Sequence, residues 1–326
     1  MKDRSKNLFF LSASIILLGM IPLILPVYYL GLVTRSLIMA ILALSVNFLL
    51  GYLGLASVGH GVFLGISSYT VAIYCRQIGA APWPAMGAAL LAAILAGALF
   101  GLLAIRTKDI FFLVIMLAFC QVLYGTAFSW RSLTGGDDGL PGLRRPLLFP
   151  GLSLEGAVPY YLFVVFVFLG ILAGFWLLVH SPFGLTLKGI RESESRMRVL
   201  GYNVWLYKYL AFIISGGMGG ISGILHVYYN GCPNPSNFGL ILSSTALLMV
   251  ILGGPGTWLG PVIGALIIVF LQDIVSGITE RWLMVLGAAY VMVVLLCPQG
   301  IIGALGRISL RVRTAKTKAG DKEGAM

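Results

Sequence analysis

The stretch YYLFVVFVFLGILAGFWLLV, Tyr160 to Val179, runs twenty residues without a charged side chain or a proline. Crossing roughly 30 Å of hydrocarbon takes about 20 apolar residues in a helix, where every backbone amide bonds within its own segment. A membrane β-barrel would alternate apolar and polar positions, and this run does not alternate. It reads as a transmembrane helix. Similar runs follow one another along most of the 326 residues, of which 59% are apolar, with a mean hydropathy of +0.98. Too little polar surface remains to clothe a soluble globule. The expected fold class is all-α, a polytopic integral membrane helical bundle.

About ten transmembrane helices are expected, near residues 8–32, 36–51, 55–75, 83–105, 109–128, 159–180, 208–229, 238–254, 259–278 and 283–303. The first follows Lys2, Arg4 and Lys6 and is too long for a secretory signal, so it reads as a retained span bent at Pro22 and Pro26. On this count residues 1–7 form a cytoplasmic N-terminus, 8–303 the transmembrane domain and 304–326 a basic cytoplasmic tail. Residues 181–207 form a cytoplasmic loop and 128–158 an outer one. Arg35, Arg76 and the loop after Phe128 then lie outside. Arg106, Lys108 and the charges after Leu187 lie inside, which is the side that basic residues favour. The net charge of +11 therefore orients the chain beside anionic lipid and does not imply nucleic acid.

Few residues suggest chemistry. Cys75, Cys120, Cys232 and Cys297 are scattered and match no metal spacing. No HExxH motif occurs, and GGPGTWLG, Gly253 to Gly260, has no lysine to make a phosphate loop. Neither a metal nor a bound nucleotide cofactor is expected. Glycines repeat at four-residue spacing at Gly61/Gly65, Gly97/Gly101, Gly170/Gly174, Gly219/Gly223 and Gly260/Gly264, as helices that pack closely in lipid require. Ser57, His60 and Ser68 share one face of a span, and Ser215, Ser222 and His226 share one face of another. Polar faces of this kind line a translocation path or bond between packed helices. Asp273 is the sole acid well inside an expected span, which argues against a proton- or sodium-driven carrier. The leucine-glycine pairs LGYLG, Leu50 to Gly54, and LGGPG, Leu252 to Gly256, are a faint internal similarity.

The segment LKGIRESESRMRVLGYN, Leu187 to Asn203, gathers charge in a chain only 10% charged. Glu192 and Arg196, like Glu194 and Arg198, are spaced i,i+4 in the favourable order, and Gly201 can close the helix in a left-handed cap. A short amphipathic cytoplasmic helix is expected, with Ile190 and Met197 on an apolar stripe that no bundle buries. It either presents a solvated face or docks a soluble partner.

Five segments in order resemble the permease subunits of branched-chain amino-acid ABC importers of the LivM type. They are GYLGLASVGHGVFLGISSYTVAI from Gly51, RTKDIFFLVIMLAF from Arg106, WRSLTGGDDGLPGL from Trp130, SPFGLTLKGIRESESRMRVLGYNVWLYKYLAFIIS from Ser181, and LMVILGGPGTWLGPVIGA from Leu248. The resemblance implies a transport subunit of the bacterial inner membrane with both termini cytoplasmic and no enzymatic activity. It implies a homologous second permease, two cytoplasmic ATPase subunits that bind the ATP, and a periplasmic substrate-binding protein. Arg191, Glu192, Glu194 and Gly201, with Arg198 paired to Glu194, would form the ATPase coupling helix. The family usually has two alanines where this chain has Arg196 and Met197. In the outer loop Trp130, Arg131, Asp137 and Asp138 would touch the binding protein. Related permeases carry urea, short amides or other small solutes, so substrate remains open between these and branched-chain amino acids. A different class is also open: GISG, Gly220 to Gly223, resembles the serine motif of rhomboid intramembrane proteases, with Ser222 as nucleophile and His60 as base.

Overall fold

The computed structural model describes residues 19, 21–22, 25–78, 82–107, 109–149, 152–281, 283–285, 287–288, 291–292 and 300–301. The expected spans at 8–32 and 283–303, Cys297 and both termini therefore lie largely or wholly outside the described residues. Its helices are α1 (Val27–Leu53), α2 (Gly61–Ile78), α3 (Pro82–Ala104), α4 (Asp109–Ser129), the single turn α5 (Arg131–Thr134), α6 (Ala157–His180), α7 (Pro182–Glu192), α8 (Glu194–Val199), α9 (Val204–Asn230), α10 (Leu240–Gly253) and α11 (Gly260–Ile278). Among the described residues, α1, α3, α4, α6, α9 and α11 are long and apolar enough to cross a membrane, and α10 is a shorter apolar helix. The exception to helix is a two-stranded antiparallel hairpin in the outer loop, β1 (Leu147–Phe149) with β2 (Leu152–Ser153).

Helix α1 is the mast of the bundle. It is buried along nearly its whole length and packs on α6, α9, α10 and α11. Pro26 precedes it, and Gly54, at φ 81°, ends it by donating its N–H to the carbonyls of Leu49 and Leu50. Sequence reading divides this region into two spans with Arg35 outside, and the structure overturns that division. Between Val27 and Leu53 no proline occurs and Gly31 and Gly51 are the only glycines, so nothing breaks the hydrogen-bond ladder at Arg35.

After Gly54 the chain runs non-helically through Leu55 to His60 while buried inside protein, then resumes as α2. Non-helical backbone is tolerated at membrane depth only where protein supplies its bonds. Here the Leu55 N–H reaches the Leu49 carbonyl at 3.0 Å and the Gly59 N–H reaches Ser57 Oγ at 3.3 Å. Gly59 has to be glycine, because a Cβ would lie 2.6 Å from the Met116 carbonyl oxygen.

The glycine pairs divide by what they face. A Cβ on Gly223 would sit 2.3 Å from the Leu64 carbonyl oxygen, one on Gly65 2.4 Å from the Phe238 ring, and one on Gly264 1.9 Å from the Met249 carbonyl oxygen. These are close helix approaches. Gly170 and Gly174 meet no atom within 4 Å and mark no packed face within this chain. Gly223→Ala is therefore expected to cost about 1–3 kcal/mol, since a backbone carbonyl cannot yield as a side chain would. Gly174→Ala should leave stability unchanged or raise it slightly. Thermal unfolding of the detergent-solubilised protein, read side by side for the two variants, checks the contrast.

Candidate functional site

At the end of the bundle that carries the outer loop, α1, α9, α10, α11 and the turn Pro235–Phe238 enclose a cavity of about 580 Å³. Its wall holds opposite charges, Arg35 from α1 and Asp273 from α11, both half-buried. They do not pair with each other. Among the described residues the ion pairs involve Glu194 alone, with Arg198 and with Lys208. Asp273 Oδ2 instead accepts from the Tyr28 hydroxyl at 2.7 Å. His226, 7% exposed, and Asn237, 6% exposed, also line the cavity. Asn230 Nδ2 lies 2.8 Å from His226 Nε2. An amide nitrogen only donates, so Nε2 accepts and the neutral ring carries its proton on Nδ1. That Nδ1 and Asn237 Nδ2 are buried without a hydrogen-bond partner. Leu32, Met39, Leu242 and Met249 supply an apolar wall.

Of the six candidate path residues, His226 alone lines this cavity. Three others form one buried chain. Ser215 donates its single hydroxyl proton to the Ser45 carbonyl at 2.7 Å, so its oxygen accepts from His60 Nε2–H at 2.8 Å. His60 Nδ1 then accepts from Ser57 Oγ at 2.9 Å, and Ser57 Oγ accepts the Gly59 N–H. Ser68 donates to the Gly223 carbonyl and Ser222 to the Ile38 carbonyl, both at 2.9 Å. The hydroxyl proton of Ser222 is thus spent on a backbone carbonyl, and both His60 nitrogens are taken by other serines. The serine–histidine dyad of an intramembrane protease is not assembled.

At the opposite end the charged segment is two helices, where sequence reading expects one. Ser193 leaves helical geometry, ends α7, and caps α8 by accepting the Arg196 N–H at 3.3 Å. A serine that can satisfy an exposed N–H favours this cap over helix interior. The break leaves Glu192 exposed and apart from Arg196, whereas Glu194 and Arg198 do pair, at 3.4 Å. Glu194 also bonds Lys208 of α9, a lysine only 4% exposed. Arg191 donates to the Gly51 carbonyl near the end of α1, and Gly201 turns the chain into α9 at φ 87°. The expected bare apolar stripe is corrected: Ile190 and Met197 are buried against the bundle. The apolar side chains left most exposed here are Leu185, Val199 and Leu200, which charge patterning did not single out.

LGYLG and LGGPG meet in space. Asn47 Oδ1 accepts the Gly256 N–H at 2.9 Å and its Nδ2 donates to the Thr257 carbonyl at 2.8 Å. Gly51 and Gly256 pack backbone to backbone, and a Cβ on Gly51 would lie 2.3 Å from the Gly256 nitrogen. In the outer loop, Leu140 and Leu143 N–H groups bond the carbonyls of Pro233 and Gly231. Trp130, Arg131, Asp137 and Asp138 stand exposed on this anchored loop.

The family model described as branched-chain amino acid transport system / permease component matches residues 28–296. The chain is 26% identical to the high-affinity branched-chain amino acid transport system permease protein LivM of Salmonella typhimurium, over 96% of this chain and 79% of that protein. Against the LivM protein of Escherichia coli K12 identity is 27%, with the same coverage. The autoinducer 2 import system permease protein LsrC of Klebsiella pneumoniae is 32% identical over 52% of this chain and 49% of its own. No solved structure matches.

The saturated chain through His60 yields a prediction of its own. His60→Ala strips partners from Ser57 and Ser215 and leaves a void, which should cost several kcal/mol, about 1–3 for each buried polar group left unpaired. The expected signature is a fall in the yield of monodisperse protein on size-exclusion chromatography, with Ser222→Ala affected much less.

Proposed function

The chain belongs to the permease components of branched-chain amino acid transport systems, and on that premise we propose what it carries and how it is driven. It is an integral membrane transport subunit and not an enzyme, of a kind that works with an ATPase and a binding protein. Its proposed cargo is a branched-chain amino acid. The proposed assembly pairs it with a homologous permease in the bacterial inner membrane, over two ATPases and beneath a periplasmic binding protein. The end bearing α7 and α8 faces the cytoplasm, a placement supported by Arg106, Lys188, Arg191, Arg196, Arg198 and Lys208.

The single observation that carries the coupling proposal is the bonding of α7 and α8 into the bundle. Arg191 holds the end of α1 and Glu194 holds α9. A push on α7 and α8 from an ATPase is thereby delivered to α1 and α9, two of the four helices that wall the outer cavity. Val199 and Leu200, exposed beside Glu192, Arg198 and Gly201, offer the ATPase an apolar contact. His226 faces the cargo, while Ser57, His60, Ser68, Ser215 and Ser222 hold α1, α2 and α9 together as they move. Trp130, Arg131, Asp137 and Asp138 receive the binding protein. Urea and short amides, as alternative cargo, lack the opposite charges that Arg35 and Asp273 would answer.

Arg191→Ala, tested in proteoliposomes with both ATPases, the sister permease and the binding protein, should keep the complex assembled. It should lose about ten-fold or more of substrate-stimulated ATP hydrolysis, as removal of a charge-assisted hydrogen bond of about 1.5–3 kcal/mol implies. Parental stimulation would reject the coupling role. Glu194 stands at the first position of α8, where proline is tolerated. Glu194→Pro should therefore act through the lost Lys208 bond, and Glu194→Ala should match it.

A sidedness test uses the outer loop. A cysteine at exposed Asp138 should react with a membrane-impermeant maleimide from the periplasmic face. The native Cys232 thiol, half-buried, with its pKa pushed up by burial, should react more slowly. Labelling of the Asp138 position from the cytoplasmic face alone would invert the orientation.

A further inference from the structure

A guanidinium within a membrane helix is expensive, and such a group normally pairs with an acid or faces a route for polar cargo. Arg35 has an acid across the cavity and makes no ion pair with it. Asp273 is held by the Tyr28 hydroxyl, which occupies one carboxylate oxygen and leaves acceptor capacity on the other. Beside them, His226 Nδ1 and Asn237 Nδ2 are buried donors without partners. Leaving a buried donor unsatisfied costs about 1–3 kcal/mol, so two in the wall of one cavity call for an acceptor that comes from elsewhere.

The wall is thus asymmetric. One part offers donors only: the Arg35 fork, His226 Nδ1–H and the Asn237 amide. Another offers a carboxylate. Leu32, Met39 and Met249 line the same cavity with apolar side chains. A simple anion would meet Asp273 as a like charge, and a simple cation would meet Arg35. A neutral amide would leave both charges unanswered. The ligand that satisfies every group carries a carboxylate and an ammonium a few bonds apart, plus an apolar tail.

We propose that Arg35, His226 and Asn237 take the α-carboxylate, and Asp273 the α-ammonium, of an amino-acid zwitterion whose side chain lies on the Leu32, Met39 and Met249 wall. The site rests on reading the outer cavity as part of the cargo route. It makes the permease a second point of selection after the binding protein, reading the charged end common to all α-amino acids. The apolar wall then favours aliphatic side chains over charged ones.

The experiment uses the assembled transporter in proteoliposomes, with the native cysteines replaced and Ser236→Cys as a reporter. Ser236 lines the cavity, is exposed, and makes no side-chain hydrogen bond. Its modification by a small methanethiosulfonate reagent is followed with increasing leucine, isoamylamine, which lacks the carboxylate, or 4-methylpentanoate, which lacks the ammonium. Leucine should protect, and each analogue should need a concentration about ten-fold or more higher, the loss of one charge-assisted contact. Arg35→Gln and Asp273→Asn should each raise the leucine requirement about ten-fold or more, and Arg35→Lys by less. Equal protection by all three compounds would overturn the zwitterion site while leaving the cavity on the cargo route. No protection by any of them, with leucine uptake intact, would remove the cavity from the route altogether. The analogue comparison needs only the reporter protein, so it stands even where Arg35→Gln fails to fold.

Discussion

Every backbone amide at membrane depth must find its hydrogen bond inside the protein, and this chain breaks a helix there. Leu55 to His60 run largely buried without helical geometry. That segment is tenable only because α1, α4 and α9 supply partners or close-fitting walls. Gly59 fits against Met116, and Ser57 and His60 bond toward Ser215 and so to Ser45. The glycine face of α9 admits α2 and α3, where Gly219 meets Phe63, Gly220 meets Ala93 and Gly223 meets Leu64. Enclosing the break takes the side chains of Ser57, His60 and Ser215.

Two histidines show where that consumption stops. The ring of His60 has partners on both nitrogens, and its surroundings leave no acceptor or donor to spare. His226 has Asn230 on one nitrogen and none on the other, beside a charged cavity. Both are buried, both lie on polar helical faces, and sequence cannot separate them. Hydrogen-bond accounting separates them at once, because a saturated network holds helices together while an unsaturated one awaits a ligand.

The opposite end has its own logic. Arg191 and Glu194 look like surface charges available to a soluble partner, yet Arg191 donates to the Gly51 carbonyl and Glu194 bonds Lys208. Their value lies in stiffness between α7, α8 and the helices that wall the outer cavity. Among the described residues nothing covers Val199 and Leu200, which leaves them as the apolar contact proposed for a partner.

Composition and periodicity alone determined the membrane class, the helical architecture and the positions of most long helices, since a twenty-residue apolar run has one stable form in lipid. Motif order indicated the permease family, and the small-residue spacing foretold the close approach at Gly223 and Gly264 but overstated it at Gly170 and Gly174. Pattern cannot tell whether a helix face meets protein or lipid. Tertiary structure decided the rest. Arg35 reads as a loop residue between the expected spans 8–32 and 36–51, although no glycine or proline beside it can turn the chain. Asp273 stands out as an acid in a span but has no visible counterpart, because Tyr28, which bonds it, and Arg35, which shares its cavity, lie over two hundred residues away in sequence. Ser193 was legible as a helix former's interruption only once its side chain was seen to cap α8. Which charges pair, and which polar atoms remain unpaired, depends on separations in space that no local pattern records.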